Sequence, residues 1–217
     1  MSLWRRLRGG EGRSASAARR WVVIDVESSG LDLRRDRLLA IAAVAVQLDG
    51  EASPRIVIGD SFEALLRQEP EASADKANIL LHGIGVEAQR SGVPAAAALA
   101  AFERWLAAAP LIAFHARFDQ TMIERAMQAA LGRTLAGPWL DLEPVAEALH
   151  PEVQGRTLDA WLGHFGIECA VRHQAAADAL ATAELLLRLW PAARAHRCTS
   201  FARLRRLVAA RRWLRPH

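Results

Sequence analysis

The sequence predicts an α/β fold: a mixed β-sheet, antiparallel in its first strands and then extended by parallel additions, flanked by helices. Three observations carry that expectation. Three strand-like segments follow one another before any long helical pattern begins. After them a helix, a short apolar strand and further helices alternate, the order of a mixed sheet covered by helices. The chain has 217 residues, of which 52% are hydrophobic. That is enough for one sizeable packed domain, and no internal repeat or interdomain linker divides it.

The first strand is WVVIDVE, residues 21–27, where Val22, Val23, Ile24 and Val26 suit a pleated, buried surface. A Ser-Ser-Gly turn and the charged stretch LDLRRDR lead to LLAIAAVAVQLDG, a second strand that ends in the hairpin signal Asp49-Gly50. RIVIGDSFEALL is the third strand and its exit, and SADKANILLHGIG a short helix stopped by Gly83 and Gly85. VPAAAALAAFERWLAAA follows as an Ala-rich helix with Pro94 near its start. PLIAFHARFD is a short apolar strand that ends in charge, and QTMIERAMQAALG a helix capped by Gly132. Residues 139–150 and 157–165 read as two helices, and HQAAADALATAELLLRLWP as a long one that Pro191 ends. In TSFARLRRLVAARRWL, Ser200 is a candidate N-cap. Phe201, Leu204, Leu207 or Val208, and Trp213 form an apolar stripe among arginines.

Charge divides the chain. The formal net charge is +4, yet residues 1–20 hold six Arg against one Glu, and residues 191–217 hold eight Arg and no acid, so the body between is acidic. The expected organisation is a basic leader at 1–20, a central domain at 21–190 and a basic C-terminal helical tail at 191–217. Basic ends suit a polyanion such as nucleic acid, although they also serve simply as solubilising charge. The leader resembles either a transit peptide or, as favoured here, an unstructured segment. No apolar run approaches the roughly 20 residues of a membrane helix, so no membrane partner is expected. Two distant cysteines, Cys169 and Cys198, supply neither a disulfide framework nor a zinc ligand set. A reducing cytoplasmic location is expected.

Asp25 and Glu27 break the apolar run of the first strand. Two residues apart on a strand, they project from one face, and like charges that close need protons or cations between them. Asp119 opens a helix after the strand LIAFHARFD, and His173 and Asp178 lie at the start of the last long helix. Five residues of helix turn by about 140° net, so His173 belongs in the loop before the helix and Asp178 on its first turns. Singly, Asp119 and Asp178 read as helix-dipole partners and His173 as a solvated loop residue. Their combination with Asp25 and Glu27 is what points to a site.

DVESSG at 25–30, HARFD at 115–119 and HQAAADALAT at 173–182 resemble the three exonuclease motifs of the DEDD superfamily, in the His-containing branch that includes bacterial polymerase proofreading subunits and RNase T. LLHGIG at 80–85 and TLDAWLGHFGI at 157–167 resemble the segments that accompany those motifs. The resemblance spans about residues 21–190 in the family's order. It implies an RNase H-like fold, with Asp25, Glu27, Asp119 and Asp178 as metal-binding carboxylates and His173 as general base. It also implies substrate contacts from Ser28, Ser29, Gly30, Leu31, His82, Ile84, His115 and Phe118. Two divalent ions, Mg²⁺ or Mn²⁺, are the implied cofactors, placed roughly 3.5–4 Å apart to activate water and offset charge on the phosphate. Imidazole titrates near neutral pH, which suits a base that takes the water's proton. Two departures stand out. Ser28-Ser29-Gly30 replaces a common Thr-Thr-Gly, and Phe114-His115 replaces a common His-Asn.

The function so implied is 3′→5′ exonucleolytic hydrolysis of single-stranded nucleic acid, DNA favoured, with release of nucleoside 5′-monophosphates. An exoribonuclease and an inactive nucleic-acid-binding module are the alternatives. A carboxylate-pair glycosidase would leave His173 and the arginine tails without a role. Expected partners are a single-stranded 3′ end, a DNA polymerase as its subunit, and a second copy in a homodimer.

Overall fold

The computed structural model describes residues 19–48, 53–69 and 76–214. Strands β1 (Arg20–Ser28), β2 (Leu38–Gln47) and β3 (Arg55–Leu65) form an antiparallel meander. β4 (Leu111–Ala113) and β5 (Trp139–Asp141) then join parallel to β1, giving the order β3-β2-β1-β4-β5. The mixed, RNase H-like sheet expected from the sequence is therefore present. The Asp49-Gly50 turn and residues 1–18 of the leader lie outside the described residues, as do 215–217.

Eight helices follow among the described residues. α1 (Lys76–His82) and α2 (Val86–Ser91) precede α3 (Ala95–Leu106) and α4 (Arg117–Leu131). After β5 come α5 (Leu142–Leu149), α6 (Leu158–Phe165), α7 (Ala175–Ala195) and α8 (Phe201–Leu214). α1 ends where Gly83 takes a left-handed φ of 73°, and α4 where Gly132 takes one of 67°, both as the glycine signals predict.

Alternation along β1 sorts the core into two layers. Val22, Ile24 and Val26 face α3 and α4, packing with Leu99, Phe102 and Ile123. Trp21 and Val23 face the other way, toward a cluster built on Trp161, Leu185, Leu189 and Trp190. Asp25 and Glu27 continue that second face, the one α7 covers.

Three sequence expectations need correction. Residues 139–141 are strand, not helix; a three-residue strand has too little length for a period-2 signal, and the following WLDLEPVAEALH pattern absorbed it. α2 was not anticipated as a separate helix. Pro191 does not end the long helix, which continues to Ala195. Proline removes one hydrogen bond there, but Trp190 and Ala193, both 2% exposed, anchor the helix on either side of it.

The arginine-rich C-terminal helix packs on the body. Ser200 caps it through Oγ, which accepts from the Arg203 N–H at 3.4 Å. Phe201 meets Trp21 edge to face, with ring centroids 5.5 Å apart. Leu204 is buried, with Leu207 and Val208 packed beside it, while Arg203, Arg205 and Arg206 stay exposed, so this part of the apolar stripe faces the core and the charge faces outward.

Candidate active site

β1, β4 and β5 run parallel, and their C-terminal ends open on one edge of the sheet, where open α/β folds place ligands. Each strand delivers a carboxylate there. β1 supplies Asp25 and Glu27, opposite Ala42 and Ala40 of β2, whose small side chains leave that face of the sheet clear. The turn after β4 leads into α4, whose first turn carries Asp119, 4% exposed. β5 ends in Asp141. From the far side, the first turn of α7 contributes Asp178, 5% exposed.

Electrostatics show how closely the set is gathered. Burial holds the Asp25 carboxyl well above the usual carboxylate range, and Asp119, Asp178 and Glu27 push it further. Burial raises Asp119 likewise, against hydrogen bonds from its own backbone and from Val26, with Asp141 and Glu27 adding repulsion. Glu27 is lifted to about 7, chiefly by burial and then by Asp178. Like charges pressed together out of water favour either protons or a bound cation. All four predicted carboxylates therefore meet at one place, and an all-oxygen donor set of this kind fits hard divalent ions.

His173 lies where the sequence reading puts it, in the loop before α7, exposed beside the carboxylates. Its backbone takes a left-handed φ of 61°, and its N–H donates to Asp178 Oδ2 at 3.0 Å. His115 is the second histidine of the rim, also exposed and left-handed at φ 59°. Asp141 Oδ1 accepts the His115 N–H at 3.0 Å and the Glu143 N–H at 3.2 Å, so one carboxyl caps α5 and ties down the turn ahead of Asp119. Left-handed non-glycine residues are uncommon, and two of the five among the described residues lie beside this cluster.

The expected substrate contacts divide. Leu31 is 85% exposed and free to touch a base. Ser28 and Ser29 are turned inward to brace the loop: Ser28 Oγ donates to Gly30 O at 2.6 Å, and Ser29 Oγ to Asp36 Oδ1 at 2.8 Å. A Cβ at Gly30 would sit 2.5 Å from Asp36 Oδ2 and would push that carboxyl off Ser29 and the Asp32 N–H. His82 is only 3% exposed, and its Nδ1 accepts the Ile84 N–H at 2.9 Å, so it shapes the His-Gly-Ile turn from inside. Ile84 is half-buried. Phe118 is half-buried against the α3–α4 core.

Several contributors were not foreseen. Arg172 pairs with both Asp178 and Asp159, the latter at 2.5 Å. Cys169 Sγ approaches Asp178 Oδ1 at 3.3 Å. Asn78 of α1 donates to Ser28 O at 2.6 Å. Arg125 of α4 donates to the carbonyls of Leu33, Arg34 and Asp36 at 2.5, 2.8 and 3.0 Å, stapling the loop that bears Leu31 to the helix that bears Asp119. Adjacency of Arg172 to His173 was a usable signal; nothing local in the sequence marks Arg125.

A sheet that gathers buried carboxylates at its parallel-strand ends, with an exposed histidine at the rim, fits the donor sets of metal-dependent hydrolases, nucleases among them. The exonuclease family model (RNase T) matches residues 22–186, and the chain belongs to that family. It is 32% identical over 185 residues to a DNA polymerase III subunit epsilon-like protein of Rhodobacter capsulatus, covering 83% of this chain and 25% of the relative. It is 31% identical over 170 residues to the PolC-type DNA polymerase III of Bacillus subtilis, covering 78% of this chain and 11% of the relative. The chain thus spans about a quarter or less of the length of these relatives. Among solved structures, Escherichia coli Exonuclease I in complex with a dT13 oligonucleotide superposes with a TM-score of 0.66 at 19% identity, covering 81% of this chain and 42% of that one. Exonuclease X in complex with 5′-overhanging duplex DNA superposes at 0.58 and 22% identity, covering 79% and 91%. Among the described residues no helix is long and apolar enough to cross a membrane.

Proposed function

We propose that the chain is a metal-dependent 3′→5′ exonuclease of the His-containing DEDD type, which releases nucleoside 5′-monophosphates from single-stranded DNA ends. The observation that carries this reading is the convergence of Asp25, Glu27, Asp119 and Asp178 from three separate parts of the fold on one buried cluster, with His173 exposed beside it. Those four carboxylates would hold two Mg²⁺ or Mn²⁺ ions, which supply charge compensation for the scissile phosphate and leaving oxygen. The polymerase names of the sequence relatives support DNA as substrate and support a role beside a polymerase, in the cytoplasm.

The remaining work falls to the chain's own groups. His173 accepts the proton of the attacking water, and its N–H bond to Asp178 fixes the loop at the distance from the carboxylates that the folded helix sets. The loop 28–31, braced from within by Ser28, Ser29 and Asn78, presents Leu31 to the terminal base. Ile84, held by His82, offers a second apolar contact. Arg203, Arg205 and Arg206 lie exposed on α8, whose start packs on Trp21 at the far end of β1 from the carboxylates, where they would meet a polyanion away from the reacting end.

The test uses 5′-labelled single-stranded DNA and RNA of one sequence with Mg²⁺, Mn²⁺ or EDTA, on wild type, Asp25→Ala and His173→Ala. A metal-dependent ladder that shortens from the 3′ end, faster on DNA and lost in both variants, is the expected result. Faster cutting of RNA would reassign the substrate. Binding without cleavage under any metal would overturn the enzymatic reading.

A further inference from the structure

A second constellation of ligating side chains lies outside the carboxylate pocket. His150 ends α5, Glu152 follows in the next turn, and His164 stands near the end of α6. One ligand atom from each lies within 4.8 Å of the other two. From Asp141, at the head of α5, His150 is roughly 13–14 Å away along the helix, so the cluster is at the opposite end of α5 from the active site.

We propose that His150, Glu152 and His164 form a binding site for a zinc-class transition-metal ion that clips the end of α5 to the end of α6. The donor set is two imidazoles and one carboxylate, a combination suited to zinc with a fourth position left to water. Imidazole nitrogen selects Zn²⁺, Ni²⁺ or Cu²⁺ over Mg²⁺, the reverse of the all-oxygen pocket. His150 Nδ1 already faces Glu152 Oε1 at 2.9 Å, while its Nε2 is buried, so Nδ1 is the nitrogen that ligates.

Geometry leaves little to rearrange. Ligand atoms about 2.05 Å from a tetrahedral zinc stand roughly 3.3 Å apart, so the widest pair has to close by at most about 1.5 Å. Glu152 and His164 are exposed and can make that movement by side-chain rotation alone. The backbone is prepared for it. His150 N–H donates to Ala146 O at 2.8 Å, and Val153 N–H to His150 O at 3.2 Å, holding the turn that carries Glu152. Phe165 meets both imidazoles edge to face, with centroids 5.1 Å from His150 and 4.7 Å from His164, which gives the two rings one shared neighbour. Exposure of Glu152 and His164 also gives the ion a direct path from solvent.

The experiment uses the full chain carrying Asp25→Asn and Asp178→Asn, which silences the carboxylate pocket, stripped of metal and titrated with Co²⁺. One equivalent with the visible absorption of nitrogen-ligated, four- or five-coordinate Co²⁺, displaced by Zn²⁺, is expected. That absorption should vanish in His164→Ala and weaken at least ten-fold in affinity in Glu152→Gln. Zn²⁺ at a hundred-fold excess over Kd should raise the melting temperature by roughly 5–10 °C, and should fail to do so in His164→Ala. In the otherwise wild-type chain, His164→Ala should retain its Mg²⁺-dependent nuclease rate, which shows that it folds and that the two sites are separate. No absorption in the background protein, or the same absorption and stoichiometry in both His164→Ala and Glu152→Gln, overturns the proposal.

Discussion

Replacing Glu27 by Gln should stabilise the metal-free protein at alkaline pH, even though it removes a residue assigned to metal binding. In the fold the Glu27 carboxyl titrates at about 7, against an ordinary value of 4.5, because burial and then Asp178 disfavour its charge. The unfolded chain releases that proton near 4.5 and the folded chain near 7, so between those values the folded state binds more protons. Stability from this group is fully present below about 4.5 and is lost as pH rises through about 7. At about 1.4 kcal/mol per pKa unit the loss has a ceiling near 3.5 kcal/mol, and solvent screening of a half-buried carboxylate brings it to about 2 kcal/mol. For a chain of this length that is roughly 4–8 °C in melting temperature. Asp25 and Asp119 shift in the same direction. His82 works the opposite way, because burial pushes its imidazole down and unfolding then takes up a proton below about 6.5. The difference between variant and wild type cancels His82, and it carries along the relief of Asp25 and Asp119, whose carboxyls the Glu27 charge raises. Thermal melts in EDTA from pH 4.5 to 8 should give coincident curves at the acid end and a variant that melts roughly 4–8 °C higher at pH 8. Equal melting temperatures at pH 8, or a more stable wild type, would refute the claim that these carboxylates are held together against their mutual repulsion.

Two further outcomes test other parts of the site. Arg125→Ala frees three loop carbonyls and should cost about 1–2 kcal/mol of loop stability. It should be read as a KM for single-stranded DNA raised roughly ten-fold with kcat within about two-fold, a split that plain loss of folded enzyme would not produce. Arg172→Ala removes the cation paired with buried Asp178 and should lower stability in EDTA by about 2–3 kcal/mol. Mg²⁺ should restore more stability to that variant than it adds to wild type, as followed by thermal melts at fixed pH.

What the sequence disclosed followed from how local the signals are. A pair of acids inside a β-branched run was visible because period-2 alternation in β1 makes a polar intrusion conspicuous. The placement of His173 before a helix and Asp178 on it followed from helical rotation alone. Asp141 was hidden because its strand is three residues long and runs straight into a helical pattern. Pro191 misled because the local cost of proline is set against the packing of Trp190 and Ala193, which no local pattern records. Ser29, Asp36 and Arg125 form one brace from residues as much as 96 apart in sequence, and His82 turned inward although its motif suggested a ligand-facing residue. Roles that depend on which way a side chain turns are fixed by tertiary neighbours.

Arg172 bears on how the site reaches its working charge. Its guanidinium is the nearby cation that moderates both Asp25 and Glu27, and it does so while paired with Asp178. One positive charge against four gathered carboxylates leaves an excess of negative charge in a largely desolvated place, which protons or divalent ions must offset. Protons suffice at low pH; near neutrality, with Glu27 titrating at about 7, cations become the better neutralisers. Asp159 gives the arrangement its reversibility. Because Arg172 already holds that exposed carboxylate on α6, releasing Asp178 to a cation leaves the guanidinium paired rather than stranded. A cation that takes Asp178 would displace Arg172, which is why Mg²⁺ is expected to add more stability to Arg172→Ala than to wild type, and Asp159 lowers the cost of that exchange because the guanidinium keeps one partner.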